Sequence, residues 1–291
     1  MTYATVCSGA EAFGPAWHEL GFTPVFHTEI EPHASAVLRY QYPTVPNYGD
    51  FTKIATNGHS VGNVQLLCGS TPCQTFSIAG LRAGLDSYKG GLALEFIRLA
   101  QRLGVKWLLW ENVVGVLSAD GGEAFGSFLG ALAECGYGFA YRVLDAQYHG
   151  VPQRRRRVFV CGYLGDWRPA AAVLFESESL SGDFESLEAP AARAGRVFPT
   201  VTRCGPGSLR EEESYVIEYN ERVRRLTPLE TERLMGWPDG WTAKGINTSG
   251  LPYMLPNSAR YEICGNGWAR PVATWVAGRI KMVESLMMAT V

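Results

Sequence analysis

The 291-residue chain has no cysteine–histidine pairs at zinc-ligand spacing, so a structural metal is not expected. Its seven cysteines are odd in number and follow no framework spacing. That fits reduced thiols in a cytosolic protein better than a disulfide scaffold. No apolar run approaches the roughly 20 residues needed to span a bilayer. The N-terminus, Met1-Thr2-Tyr3-Ala4-Thr5-Val6, lacks the basic stretch and apolar run of a secretory leader. Nothing reads as disordered at length, and no internal repeat is visible. A basic excess is also missing: 26 Lys and Arg stand against 28 Asp and Glu, a net charge of -2. Evenly spread, that balance would count against a nucleic-acid surface. It is not evenly spread. Arg154 to Arg157 form one basic block and Arg222, Arg224 and Arg225 another, while acids collect at Glu176, Glu178, Asp183, Glu185, Glu188 and Glu211 to Glu213. One face can therefore be basic in a chain that is acidic overall. Five histidines are present, but no local signature supports a papain-like Cys–His hydrolase.

What is present is a 46% hydrophobic composition, enough for a substantial core. From Tyr3 to about Tyr163 short apolar runs alternate with helical patterns. Strands are predicted at Tyr3–Ser8, Pro24–Glu29, Val64–Cys68, Val105–Glu111, Gly138–Asp145 and Arg157–Tyr163. Helices are predicted at Glu11–Leu20, Pro32–Tyr40, Gly91–Leu103 and Gly122–Cys135. Runs such as Trp107-Leu108-Leu109-Trp110 are apolar on successive residues, as in strands with both faces covered. The alternation implies an α/β fold with a Rossmann-like, mostly parallel sheet. From about Leu164 to Arg222 the pattern gives way to Pro, Gly, Ser and acids, which reads as a small irregular second domain. Thr227 to Met235 then predicts a short helix, with Thr227 as cap, Pro228 at the first helical position and Glu230 three residues after the cap. Arg270 to Met287 predicts a final amphipathic helix. The expected division is residues 1–163 plus 264–291 for the sheet domain and 164–263 for the small one.

Several residues at predicted strand ends carry chemistry. Val6-Cys7-Ser8-Gly9-Ala10-Glu11-Ala12-Phe13 is a strand, a glycine turn and a helix start, a geometry that brings a cofactor against the backbone. The same turn can be purely structural. Glu29 can take both ribose hydroxyls of an adenosine-containing cofactor, or simply be an acid ahead of the helix at Pro32. Asp50 can accept from an adenine amino group, with Phe51 stacking on the ring, or serve only as an N-cap. Cys73, in the loop Gly69-Ser70-Thr71-Pro72-Cys73-Gln74, is either a buried small hydrophobe or a nucleophile. A thiolate suits a poor electrophile such as cytosine C6. Attack there leaves C5 electron-rich enough to take a methyl group from a sulfonium donor. Glu111, after an apolar strand, can neutralise the charge at N3 if burial keeps it protonated, or can be a strand-end turn residue. Arg155 and Arg157 share a strand face. One can hold the cytosine O2 while the other supports the loop, or both can be solvated.

Taken in order, these motifs resemble those of the DNA cytosine-C5 methyltransferases over most of the chain. Val6 to Phe13 is similar to the first motif, Glu29 to the ribose acid, Asp50-Phe51 to the adenine contact and Pro72-Cys73-Gln74 to the nucleophile loop. Glu111-Asn112-Val113 and Gln153 to Arg157 follow. Arg224 to Glu230 with Arg233 to Pro238 resembles the segment bracing the recognition domain, and Gly265-Asn266 the last motif. The compact recognition segment looks like that of phage and prophage members. The resemblance implies S-adenosyl-L-methionine as cofactor, held by Cys7, Gly9, Phe13, Glu29, Ile30, Asp50, Phe51, Pro72, Leu92 and Asn266. It implies catalysis by Cys73, Glu111, Arg155 and Arg157. It also implies double-stranded DNA as partner, touched by Gln74 and Ser77. In the small domain the residues themselves point to Thr202 to Arg210 as the reader of the target, with Arg203 or Arg210 either pairing with a guanine or only touching phosphates. A cytoplasmic monomer in a bacterium or phage-infected cell is expected. Thr5 stands where the family has an acid, Glu11 and Ala12 replace glycines, Gly267-Trp268 replaces a small residue and an aliphatic one, and Tyr88-Lys89-Gly90 replaces an Arg-Gly pair. Two rivals remain: a tRNA cytosine-C5 methyltransferase, and an inactive DNA-binding relative.

Overall fold

A computed structural model describes residues 1–54, 61–72, 91–176, 197–201, 215–217 and 223–289, with the backbone alone for 215–217 and 223. Six strands form one sheet: β1 (Thr2–Val6), β2 (Thr23–Thr28), β3 (Leu66–Gly69), β4 (Trp107–Val113), β5 (Tyr137–Asp145) and β6 (Arg156–Leu164). Their order is β2-β1-β3-β4-β6-β5. The first four pair in parallel, and β6 runs antiparallel to both of its neighbours. The sheet is thus mostly parallel and Rossmann-like, as the alternation of elements implies.

Both faces of the sheet are covered. Trp107 and Leu109 of β4 join a cluster with Trp17, Val276 and Ile280, whereas Leu108 and Trp110 join one with Phe96 and Phe128. This period-2 split explains why the strand is apolar on every residue. Helices α1 (Gly14–Glu19), α2 (Pro32–Gln41), α3 (Leu92–Leu103) and α4 (Glu123–Glu134) fall where the sequence predicts them. The chain leaves β1 toward β2 and returns to β3 on its other side, so a crevice opens between the carboxyl ends of β1 and β3.

Helix α5 (Arg168–Leu174) lies in the stretch that reads as irregular. Seven residues beginning with Arg-Pro are too few for a helical period to show. Its Ala170, Val173 and Leu174 are buried, and Arg279 donates from Nε to the Val173 carbonyl at 3.0 Å. Helix α6 (Pro228–Leu234) carries the expected capping box of Thr227 and Glu230. A hairpin of β9 (Lys244–Ile246) and β10 (Pro252–Met254) is fastened to α2, where Arg39 Nε donates to the Ile246 carbonyl at 2.8 Å. The Trp241 indole donates to the Ala10 carbonyl at 2.8 Å. Helix α7 (Asn257–Asn266) precedes α8 (Arg270–Ala289), which the Trp107 indole fastens to β4 through Glu284 at 2.5 Å. A short antiparallel pair, β7 (Tyr215–Ile217) with β8 (Val223–Arg225), completes the described elements. No helix among the described residues is long and apolar enough to cross a membrane.

Candidate active site

A cleft of about 400 Å³, its mouth included, opens where β1 and β3 end. Cys7, Ser8, Gly9 and Phe13 line one wall, Gly69 and Ser70 another, and Asn266, Gly267 and Trp268 close it from the C-terminal side. Gly9 has φ +57°, a left-handed conformation that favours glycine. Gly69 cannot carry a side chain at all, because a Cβ there would lie 2.4 Å from the Val6 carbonyl oxygen.

The carboxylate of Glu29 accepts the backbone N–H groups of Gly9 and Glu31, each at 2.8 Å, and so ties β2 to the glycine turn. Burial raises its carboxyl above the ordinary range, outweighing those two backbone donors. Ile30 beside it is 75% exposed, and Asn266 is exposed at the end of α7. Cys7 lines the cleft as a neutral thiol: burial, then the charges of Glu29 and Asp50, push it up to about 12. Asp50 caps the short helix at Phe51–Lys53, accepting from the Thr52 backbone at 3.0 Å and lying 3.1 Å from Lys53 Nζ. Burial works against its charge, but these partners outweigh it and hold the carboxyl low. Phe51 is buried in a core cluster with Phe26, Ile54 and Val64, so its ring presents little open face for stacking. Leu92 opens α3 half-buried against that cluster, and Pro72 is exposed.

Next to the cleft stands the carboxylate of Glu111, 5% exposed. Its Oε1 lies 3.2 Å from Arg157 Nε, and its Oε2 accepts the Ser70 hydroxyl at 2.5 Å. Ser70 in turn accepts the Trp268 indole N–H at 2.5 Å. Asn112 and Trp110 pin the loop that leads to Cys73, donating to the carbonyl and the hydroxyl of Thr71 at 2.9 and 3.0 Å. Arg155 points away from this group. Its fully buried guanidinium donates to the carbonyls of Val201, Gly265 and Gly267 at 2.8–2.9 Å. Burial, with Arg157 nearby, pushes it down to about 9. Arg155 lies just before β6, which begins at Arg156, so the two arginines do not share a strand face: Arg157 meets Glu111 and Arg155 braces the loops. Buried Gln153 supports the same junction, donating to Leu234 O and accepting from Val201 N.

Beneath the glycine turn lies a buried polar cluster that pattern reading does not foresee. Glu11 adopts φ +44° and turns its carboxylate back under the strand. Tyr3 Oη donates to it at 2.5 Å, Thr5 Oγ1 at 2.9 Å, and His27 Nδ1 is in contact. Burial, then the Glu11 charge, raises the Tyr3 hydroxyl well above its usual range. Ser70, Thr71 and Trp268 also escape sequence reading, because a Ser-Thr pair in a loop and a lone Trp carry no periodic signal. The one available clue is that Gly267-Trp268 stands where the resemblance leads one to expect a small residue followed by an aliphatic one.

Cys73, Gln74 and Ser77, the Tyr88-Lys89-Gly90 segment, and Arg203 and Arg210 lie outside the described residues. Residues 1–189 match the family described as C-5 cytosine-specific DNA methylase. A relative from Escherichia phage P1, named DNA N-6-adenine-methyltransferase, is 30% identical and covers 96% of this chain. This chain spans 61% of that relative's length. The type II methyltransferase M2.BsuMI of Bacillus subtilis is 26% identical, covering 95% of this chain and 74% of its own. Among solved structures, the S. pombe Dnmt2 methyltransferase superposes with a TM-score of 0.67 at 15% identity, covering 99% of each chain. With its sheet, its crevice and its Glu111–Arg157 pair, this chain belongs to the C-5 cytosine-specific DNA methylases.

Proposed function

We propose that this protein methylates C5 of a cytosine flipped out of double-stranded DNA. The observation that carries the reading is Glu111, buried at the end of β4, held between Arg157 and Ser70 and one residue past the level of the β3 end that leads into the Cys73 loop. The cleft beside it suits S-adenosylmethionine by its donor set. Glu29 offers a carboxylate at the end of β2, Asn266 an amide from α7, and the space where a Gly9 Cβ would stand is open to 4 Å. When bound, that cofactor supplies an electrophilic methyl group.

The chain's own residues supply the rest. C6 and C5 are stacked within the duplex, so the base must leave it. The Cys73 thiolate adds to C6, and the electron pair passes through the ring toward N3 and O2. Glu111 delivers or shares a proton at N3 while Arg157 holds the carbonyl side, so that the ring is not left with a full negative charge. After C5 is alkylated, its proton passes to solvent, the C6–S bond breaks to expel the thiolate, and the N3 proton returns to Glu111, restoring the ring. Arg155 and Gln153 keep the C-terminal and loop segments in register around this group.

The phage P1 relative's name points instead to an adenine amine. An exocyclic amine needs no thiol adduct, so the presence in the sequence of Cys73 after Pro72, together with Glu111, favours carbon. Digestion of methylated duplex DNA to nucleosides separates the outcomes: 5-methylcytosine supports this reading, and N6-methyladenine overturns it. Methylation of tRNA in preference to duplex DNA would favour the RNA rival. Duplex carrying 5-fluorocytosine should trap the protein covalently, and Cys73→Ser should abolish both trap and turnover. A Cys73→Ser protein with near-normal turnover would remove the mechanism.

A further inference from the structure

We infer that Trp268 is a positioning residue for the reaction, setting the Ser70 hydroxyl so that it donates to Glu111; the inference rests on the cytosine reading above. An indole N–H can only donate, whereas a serine hydroxyl donates once and accepts elsewhere. The Trp268 Nε1 lies 2.5 Å from Ser70 Oγ, so Ser70 must be the acceptor there. Its single proton is then directed to Glu111 Oε2, also at 2.5 Å. Arg157 Nε faces the other carboxylate oxygen at 3.2 Å. Glu111 is thereby pinned from both sides, and its plane is fixed relative to the β4 end.

Trp268 is itself held on three sides. Its ring stacks on Phe13 at 5.3 Å and 24°, and meets Phe159 edge-on at 5.6 Å and 79°. Its carbonyl accepts the Trp237 indole at 2.8 Å. Phe159 sits directly opposite Glu111 in the β4–β6 ladder. The ring is also part of the cleft wall, so one side chain touches the proposed cofactor space and, through a single hydroxyl, the proton-handling carboxyl. An aliphatic residue at 268 could line the cleft but would have no N–H to direct the Ser70 hydroxyl. Ser70 and Trp268 therefore operate as a pair, 198 residues apart in sequence.

Two measurements test the relay. In proton–nitrogen spectra of the indole groups, the Trp268 signal is identified by its loss in Trp268→Phe. Glu111→Gln should shift that signal in the otherwise wild-type protein and leave it unmoved in a Ser70→Ala background. No shift in either background would overturn the inference, whatever the protein methylates. In turnover on duplex DNA, Ser70→Ala should lower kcat roughly 10- to 100-fold, the weight of one hydrogen bond to a charged group. Its KM for S-adenosylmethionine should change by less than its kcat, because the hydrogen bond acts on Glu111. Adding Trp268→Phe to Ser70→Ala should cost nothing further in kcat, because both lie on one path. Effects that multiply would make Trp268 a packing residue and overturn the relay. Wild-type protein that methylates no cytosine would refute the functional reading alone, and the spectra would still decide the relay.

Discussion

Glu111 and Arg157 meet diagonally across an antiparallel ladder, Nε to Oε1 at 3.2 Å, with Glu111 opposite Phe159 and Arg157 opposite Val113. The one reversed strand of the sheet is what allows it. A parallel strand in the place of β6 would carry its arginine block to the far end of the sheet. Running β6 backward brings the start of that strand, where the basic block lies, to the carboxyl end of β4, where Glu111 stands.

From this pair we expect Glu111→Gln to bind DNA and cofactor yet lose turnover by roughly 100- to 10,000-fold, the usual loss when a positioned acid is removed. Arg157→Lys should not restore what Arg157→Ala loses, because an ammonium cannot reproduce the planar reach of a guanidinium. Single-turnover rates with saturating DNA are the measurement. Near-normal rates in Glu111→Gln would return Glu111 to a strand-end residue.

The two arginines should separate by stability. Arg155 is buried and serves three carbonyls, so Arg155→Ala leaves all three unsatisfied and should cost about 3 kcal/mol or more. Arg157→Ala removes the ion partner of a buried carboxylate that Ser70 still supports, so it should lower the urea midpoint less than Arg155→Ala while removing turnover. Equal destabilisation by the two substitutions would contradict the division of labour described above.

Glu29 links affinity to pH with a definite sign. Burial raises its carboxyl in the folded apo protein above the unfolded value. Its contribution to apo stability is therefore fully present below the unfolded value and is lost as pH rises through the folded one. Cofactor binding should run the opposite way, since ribose hydroxyls need the ionised carboxylate as acceptor. Calorimetry should show S-adenosylmethionine affinity weakening on acidification earlier than an ordinary carboxylate would allow. Glu29→Ala should weaken binding at every pH and flatten that slope. An unchanged affinity in Glu29→Ala would refute the assignment.

The strands and the first four helices were legible because their residues obey simple periods, and Trp107 to Trp110 announces a doubly covered strand. Glu111 and Arg157 were legible because each ends or begins an apolar run. The division between Arg155 and Arg157 was not, since it depends on which carbonyls of residues 201, 265 and 267 come near, and those are set by tertiary packing. Asp50 shows the same limit: its cap on Thr52 and its pairing with Lys53 are local, and spacing alone does not distinguish them from a ligand role. The Glu11 cluster was invisible for another reason. A glutamate in a left-handed turn is unfavourable by propensity, and only the buried donors of Tyr3, Thr5 and His27 make it stable.

Sequence specificity we assign to the segment between α5 and α6. Base edges in the major groove must be read by a side chain on a loop that can enter it. The acids from Glu176 to Glu188 would be repelled by phosphates and should face away from the duplex. That leaves Thr202 to Arg210, where Gly205 and Gly207 permit close approach and Arg203 or Arg210 can pair with a guanine. Residues 197–201 run beside Gln153 and Arg154, Phe198 and Arg154 share a backbone hydrogen bond at 2.8 Å, and Arg155 holds Val201 immediately before Thr202. The chain is thus anchored where the proposed reader begins. A base-reading arginine changed to alanine should relax the methylated motif at one position, by about 1–3 kcal/mol of discrimination. An arginine that only touches phosphate should weaken every site alike and reduce the salt dependence. Bisulfite sequencing of DNA from cells expressing wild type, Arg203→Ala and Arg210→Ala distinguishes the two. If neither substitution alters the motif, the reader lies elsewhere between α5 and α6.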